Sequence, residues 1–159
     1  MTNSDTYSEA VKDATAVYYC LGTTRADAGS GKALADTELG MIKGVTEVSS
    51  AAGVKGFSLV SSQGASSSSL FNYMKVKGQI EDRVKAANFP FTSIFQPGLL
   101  GRGNKARTVE KICSWVMPTM PAKTLARAMV LDMEKKLGAG SPSSGVEILG
   151  NKAIHQLVK

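Results

Sequence analysis

Three short β-rich apolar runs separated by two long stretches of helical spacing constrain this chain more than any other feature. The runs are Ala16-Val-Tyr-Tyr-Cys-Leu21, Phe57-Ser-Leu-Val-Ser61 and Thr92-Ser-Ile-Phe95, with Gly22 closing the first and Pro97-Gly98 the third. Between the first two, Leu34, Met41, Ile42, Val45 and Val48 recur at roughly helical spacing from Lys32 to Ala52, and Gly53 supplies a stop. Between the second and third, Tyr73, Val76, Ile80 and Val84 do the same from about Leu70 to Asn88. Crossovers of this length join parallel strands, because a hairpin needs only a short turn. Strand, helix, strand, helix, strand therefore predicts an α/β fold built on a doubly wound parallel sheet with helices on both faces. A short helix from Tyr7 to about Lys12 is expected ahead of it. After it come two helices (about Val109 to Val116 and Ala122 to Leu137), a Gly/Ser/Pro linker from Gly138 to Gly145, an apolar run Val146 to Leu149, and a last helix from Asn151 to Val158.

At 159 residues, 43% of them apolar, the chain suits one domain spanning 1–159. It contains no run of 18 apolar residues, so no transmembrane segment is expected, and its polar start Met1-Thr-Asn-Ser-Asp5 lacks the features of a secretory signal. The expected location is cytoplasmic. Lys and Arg outnumber Asp and Glu by 19 to 13, giving a net charge of +6. The positive residues are scattered, and the one concentrated group, Arg102-Gly-Asn-Lys105-Ala-Arg107, has no aromatic residues interleaved for base stacking. A nucleic acid partner is disfavoured; an anionic small ligand such as a nucleotide phosphate needs no more charge than this. Cys20 and Cys113 each sit among apolar neighbours and read as buried reduced thiols, without a metal.

Doubly wound sheets bind ligands at the carboxyl ends of their strands, which directs attention to the loops opened by Gly22, Ser61 and Pro97. Tyr73-Met-Lys-Val-Lys77 places a phenol and an ammonium one helical turn apart on the same face. A cation beside a phenol favours the phenolate and so makes tyrosine a usable acid or base. Ser61-Ser62 ends a predicted strand about a dozen residues earlier, where either hydroxyl could reach the same pocket or cap the following helix. Two glycine loops fail as phosphate fingerprints. Ala28-Gly-Ser-Gly-Lys32 has Ala26 and Ala33 where a P-loop needs glycine and Ser/Thr, and Gly101-Arg-Gly-Asn-Lys-Ala106 comes late, with Pro97-Gly98 between it and its strand. His155 has no partner in view and reads as a surface or capping residue.

The stretch Phe57-Ser-Leu-Val-Ser-Ser-Gln-Gly-Ala65, together with Phe71-Asn-Tyr-Met-Lys-Val-Lys-Gly-Gln-Ile-Glu81, closely resembles the atypical short-chain dehydrogenases of the Tat-interactive-protein oxidoreductase group. Further blocks match in order: Cys20-Leu-Gly-Thr-Thr-Arg25, Phe95-Gln-Pro-Gly-Leu-Leu-Gly101, Leu125-Ala-Arg-Ala-Met129 and Asn151-Lys-Ala-Ile-His155. The resemblance implies a Rossmann-type fold and hydride transfer between NADP(H), with NAD(H) as the alternative cofactor, and a small carbonyl or alcohol substrate. It makes Tyr73 the general acid/base, has Lys77 hold the nicotinamide ribose, and has Ser62, or else Ser61, bind the substrate oxygen. Leu21, Gly22 and Thr23 would lie along the cofactor, and Leu100 and Arg107 would line its far side.

Members of the group begin with a strand, a glycine-rich turn that receives the pyrophosphate, and two more strands. Met1 is expected to fall just ahead of the group's fourth strand, so the chain corresponds to the C-terminal portion of the domain, and the strand at Ala16 becomes an exposed edge. Gln96 stands where the group has arginine before Pro-Gly. Two expectations follow: an oxidoreductase acting through Tyr73 and Lys77, or an inactive short form serving as a protein-interaction module, with a homodimer or another protein as partner. Fungal members suggest the mitochondrial surface as an alternative location.

Overall fold

The computed structural model describes residues 4–22, 29–101, 119–138 and 144–159. Its elements are α1 (Ser4–Val11), β1 (Ala16–Tyr19), α2 (Gly31–Ala51), β2 (Gly56–Val60), α3 (Asn72–Ala86), β3 (Phe91–Gln96), β4 (Leu100–Gly101), β5 (Met120–Pro121), α4 (Ala122–Leu137), β6 (Gly145–Gly150) and α5 (Asn151–Leu157). Strands β1, β2, β3 and β6 form one sheet in that order, each parallel to its neighbour. The doubly wound parallel pattern expected from the sequence is what the chain adopts. β1 lies at one edge of the sheet, and the apolar run at 146–149 is part of a six-residue strand at the other. The short parallel pair β4–β5 is an addition that two residues per strand gave no periodicity to reveal.

Pleating divides the interior into two cores. Tyr19, Phe57, Leu59 and Ile94 point to one face, where Leu34, Ile42 and Val45 of α2 and Val76, Ile80 and Val84 of α3 cover them. Phe95 and Leu149 point to the other face, under Leu125, Ala128 and Met129 of α4 and Ile154 of α5. Helix α2 starts at Ser30, whose hydroxyl accepts the Ala33 amide at 3.0 Å, and the chain leaves it through Gly53 at a φ of 71°. On the second face α4 is keyed to the sheet by charge. Lys136 Nζ lies 3.0 Å from Asp132 Oδ1, 2.9 Å from Glu147 Oε2 and 2.6 Å from the Ser93 hydroxyl, which donates to Asp132 at 2.5 Å.

One expectation is corrected. Cys20 is exposed, not buried, because it follows Tyr19, the last paired residue of an edge strand, and so leaves the sheet with no neighbouring strand to cover it among the described residues. Thr23, Arg107, Cys113 and the helix expected at 109–116 lie outside the described residues.

Candidate functional site

Because the four strands run parallel, the segments that follow β1, β2 and β3 emerge along one rim. These are Leu21-Gly22, Ser61-Ser62 and Pro97-Gly98. The last two are tied together by the Gln63 amide, which donates to the Pro97 carbonyl at 2.9 Å, and the Gly98 amide anchors its segment to α5 by donating to Asn151 Oδ1 at 2.9 Å. The loop after Ser62 folds back onto α3, where the Ser66 amide donates to the Met74 carbonyl at 3.1 Å. Gly78 makes this seat possible, since a Cβ there would run into the backbone of Ser66 and Ser67.

Tyr73 and Lys77 share the face of α3 expected from their spacing, but not the same environment. Tyr73 is 45% exposed, whereas Lys77 is buried, with its ammonium 5.7 Å from the centroid of the Tyr73 ring, inside cation–π range. A buried ammonium needs a partner, and Lys77 Nζ pairs with Glu38 Oε2 of α2 at 2.7 Å. Gly22 stands directly beside this pair: a Cβ on it would lie 3.4 Å from Lys77 Nζ and 3.7 Å from Glu38 Oε1. Tyr19 reaches the same region from β1. Its hydroxyl is buried with no hydrogen-bond partner among the described residues, and burial together with the Glu38 carboxylate pushes its phenol well above the ordinary tyrosine value.

The two candidate serines differ sharply. Ser61 is buried and its hydroxyl donates to Glu81 Oε1 at 2.5 Å; Gln96 Nε2 donates to the same oxygen at 2.8 Å, and Lys85 Nζ lies 3.6 Å from Oε2. Gln96 thus uses its amide on Glu81 where an arginine would add a charge. Ser62, half-buried, is the next hydroxyl along the loop. Neither serine caps α3, which has no side-chain cap; Ser69 accepts the amide of Phe71, the residue just ahead of the helix, at 3.2 Å. Leu21 is 52% exposed on the rim, while Leu100, in β4, packs against the core under α4.

Glu38 and Glu81 escaped the sequence reading. Each sits at helical spacing among apolar residues, Glu38 between Leu34 and Ile42, and Glu81 beside Ile80 and Val84. A carboxylate on an otherwise apolar stripe is the signal that could have found them, since it must be paired to be buried.

A parallel sheet with helices on both faces, and a Tyr/Lys face at the carboxyl rim beside a close-approaching glycine, define an NAD(P)-binding domain of Rossmann type. The sequence model of the NAD(P)H-binding family matches residues 1–132, and the chain belongs to that family, among the atypical short-chain dehydrogenases. It is 35% identical to protein HTATIP2 of Rattus norvegicus over 98% of its own length and 66% of that protein's. It is also 43% identical to the mitochondrial protein FMP52-1 of Scheffersomyces stipitis, over 56% of this chain and 39% of that one. The chain thus spans about two thirds, or less, of these relatives. Among solved structures it is similar to a dTDP-glucose 4,6-dehydratase double mutant from Streptomyces venezuelae with NAD bound, at a TM-score of 0.67 and 12% identity, over 98% of this chain and 60% of that one. The enzyme WbmG of Bordetella bronchiseptica in complex with NAD gives a TM-score of 0.61 at 16% identity, over 93% of this chain and 55% of that one. At such identities these two speak for the fold alone.

Proposed function

We propose that the chain is the catalytic portion of an NADP-dependent oxidoreductase acting on a small carbonyl or alcohol, with Tyr73 as general acid/base. The observation that carries this reading is the buried Lys77 ammonium, held between Gly22 and the exposed Tyr73 ring. A nicotinamide cofactor, when bound, supplies the hydride. The chain's own residues fit it: the missing side chain of Gly22 leaves room for a ligand to lie against the backbone and reach Lys77. Leu21, Gly22 and Thr23 would flank it, Lys77 would hold its ribose, and Leu100 and Arg107 would border it. Ser62 is the hydroxyl for the substrate oxygen, since that of Ser61 is already committed to Glu81. NADP in preference to NAD belongs to the same reading, and the mitochondrial location in the fungal relatives' names extends to this chain with it.

The test is calorimetric titration of the purified chain with NADPH and NADH, wild type against Tyr73→Phe and Lys77→Ala. Weaker binding by Lys77→Ala, with tighter binding of NADPH than NADH, supports the reading. Equal affinity in all three proteins refutes it, and a stable folded dimer that binds neither nucleotide favours the interaction-module alternative.

A further inference from the structure

Lysine carries its charge on a flexible four-carbon stem and, left alone, extends toward water. Lys77 does not: its side chain is 7% exposed, and the group that retains it is Glu38, 1% exposed. Glu38 lies on the stripe by which α2 faces α3, between Leu34 and Ile42, where a carboxylate is tolerated only if paired. Both of its oxygens front one spot on the rim. Oε2 takes the ammonium at 2.7 Å, and Oε1 would lie 3.7 Å from a side chain at Gly22. A pair serving only to join α2 to α3 has no need of that placement. The same two helices are already joined by Arg83 and Glu47 at 2.7 Å, an exposed pair set apart from the site residues.

We propose that Glu38 is a positioning residue for Lys77, holding the ammonium beside Gly22 so that it is in place for the ribose diol of the cofactor. The inference rests on the functional reading above and deepens it. Without Glu38 the Lys77 stem is free to swing into solvent, and the ammonium is lost from the place where the cofactor needs it. The role is separate from packing, because it predicts a change in what Lys77 does as well as in how firmly the helices hold.

Two measurements on Glu38→Gln, with Glu47→Gln as the control, test this. One is the rate at which N-hydroxysuccinimidyl acetate acetylates Lys77, read by peptide mass spectrometry. The other is NADPH affinity by titration. In folded Glu38→Gln, Lys77 acetylation is expected to rise several-fold and NADPH affinity to fall about tenfold, the size of one lost charge-assisted hydrogen bond. Glu47→Gln is expected to match the wild type in both. An unchanged acetylation rate in folded Glu38→Gln overturns the proposal. So does increased acetylation with unchanged NADPH affinity, provided Lys77→Ala does weaken NADPH. If Lys77→Ala leaves NADPH binding untouched, the functional reading fails and takes the proposal with it, which separates the two failures. Should Glu38→Gln not fold, Glu38→Asp replaces it: its carboxylate is one methylene shorter, so acetylation should rise and affinity fall to a lesser degree, and wild-type values for both would overturn the inference.

Discussion

Among the described residues Gly40, Gly44 and Gly78 lie in helix interiors at sites whose surroundings differ, and alanine should change stability differently at each. Alanine gains roughly 1 kcal/mol of helix propensity over glycine wherever its methyl finds space. At Gly40 of α2 no described atom lies within 4 Å of the added Cβ, so Gly40→Ala should stabilise by about 1 kcal/mol and raise Tm by roughly 2–4 °C in a chain of this size. At Gly44 the Cβ would stand 3.4 Å from the Tyr7 ring, an ordinary van der Waals contact with a side chain that can shift, so Gly44→Ala should keep most of the gain and fall at or a little below Gly40→Ala. At Gly78 of α3 the Cβ would meet Ser67 N and the Ser66 carbonyl carbon and lie 2.6 Å from Ser66 Cα, all backbone, in a segment anchored by the Ser66 amide on Met74. Overpacking of this kind costs about 1–3 kcal/mol, and an overlap with three backbone atoms belongs at the upper end. After the propensity gain, Gly78→Ala should lose about 2 kcal/mol and roughly 4–8 °C of Tm. It should also displace the loop that carries Ser62 and weaken whatever binds at the rim. Urea denaturation of the three variants reads the series. A Gly78→Ala protein as stable as Gly40→Ala would refute the close approach of the serine loop to α3.

Tyr19→Phe removes a buried hydroxyl that has no hydrogen-bond partner among the described residues, and it should cost no stability at pH 7. Because the folded-state value of this phenol is raised, its contribution is complete below about pH 10 and is lost as pH climbs from there, by roughly 1.4 kcal/mol per pH unit. The variant should therefore show a shallower alkaline loss in urea melts taken from pH 9 to 11, and an unchanged slope would refute the assignment. Ser61→Ala takes from buried Glu81 one of its donors and should destabilise by about 1–3 kcal/mol. It should leave NADPH affinity unchanged, whereas Ser62→Ala should abolish turnover with wild-type stability; the reverse pattern would exchange the roles of the two serines. Asp132→Ala takes from the largely buried Lys136 one of two carboxylate partners, leaving Glu147, and should cost about 1–3 kcal/mol by denaturant titration, with an unaltered midpoint counting against a charge-keyed α4.

What the sequence revealed and what it hid divide along one line. The strands at 16–19, 56–60 and 91–96 and the helices at 31–51, 72–86 and 122–137 were legible because each is long enough for its period to show, and the crossover lengths settled their parallel pairing. The pair β4–β5 was not, since two residues carry no period. Tyr73 and Lys77 could be placed on one face because four residues make one turn. Their difference in depth could not, because it depends on Glu38, 39 positions earlier, arriving from another helix. The different engagement of Ser61 and Ser62 was hidden for the same reason, as Glu81, which accepts from both Ser61 and Gln96, reaches Ser61 only once α3 packs beside β3. Gly78 had no local signature at all, for its role is set by the loop that folds onto it.

The face of α3 that meets the rim is graded along its length. Tyr73, Lys77 and Glu81 follow one another at intervals of four residues, and exposure falls from 45% at Tyr73 to 6% at Lys77 and 3% at Glu81. The helix therefore presents a phenol to solvent, an ammonium beneath it and a carboxylate beneath that. Each buried charge has a counterpart: Glu38 of α2 for Lys77, and for Glu81 the Ser61 and Gln96 donors together with Lys85 one turn along α3. Charges balanced in this way are tolerated in the interior and hard to move, because displacing one would leave its counterpart buried and uncompensated. The consequence is a fixed donor under a solvent-facing phenol, so the reorganisation a ligand would otherwise impose on Lys77 is already complete before one arrives. On the function proposed above the two members of the pair are fitted to different work: Lys77, buried and paired, would bind, and Tyr73, open to solvent, would exchange the proton.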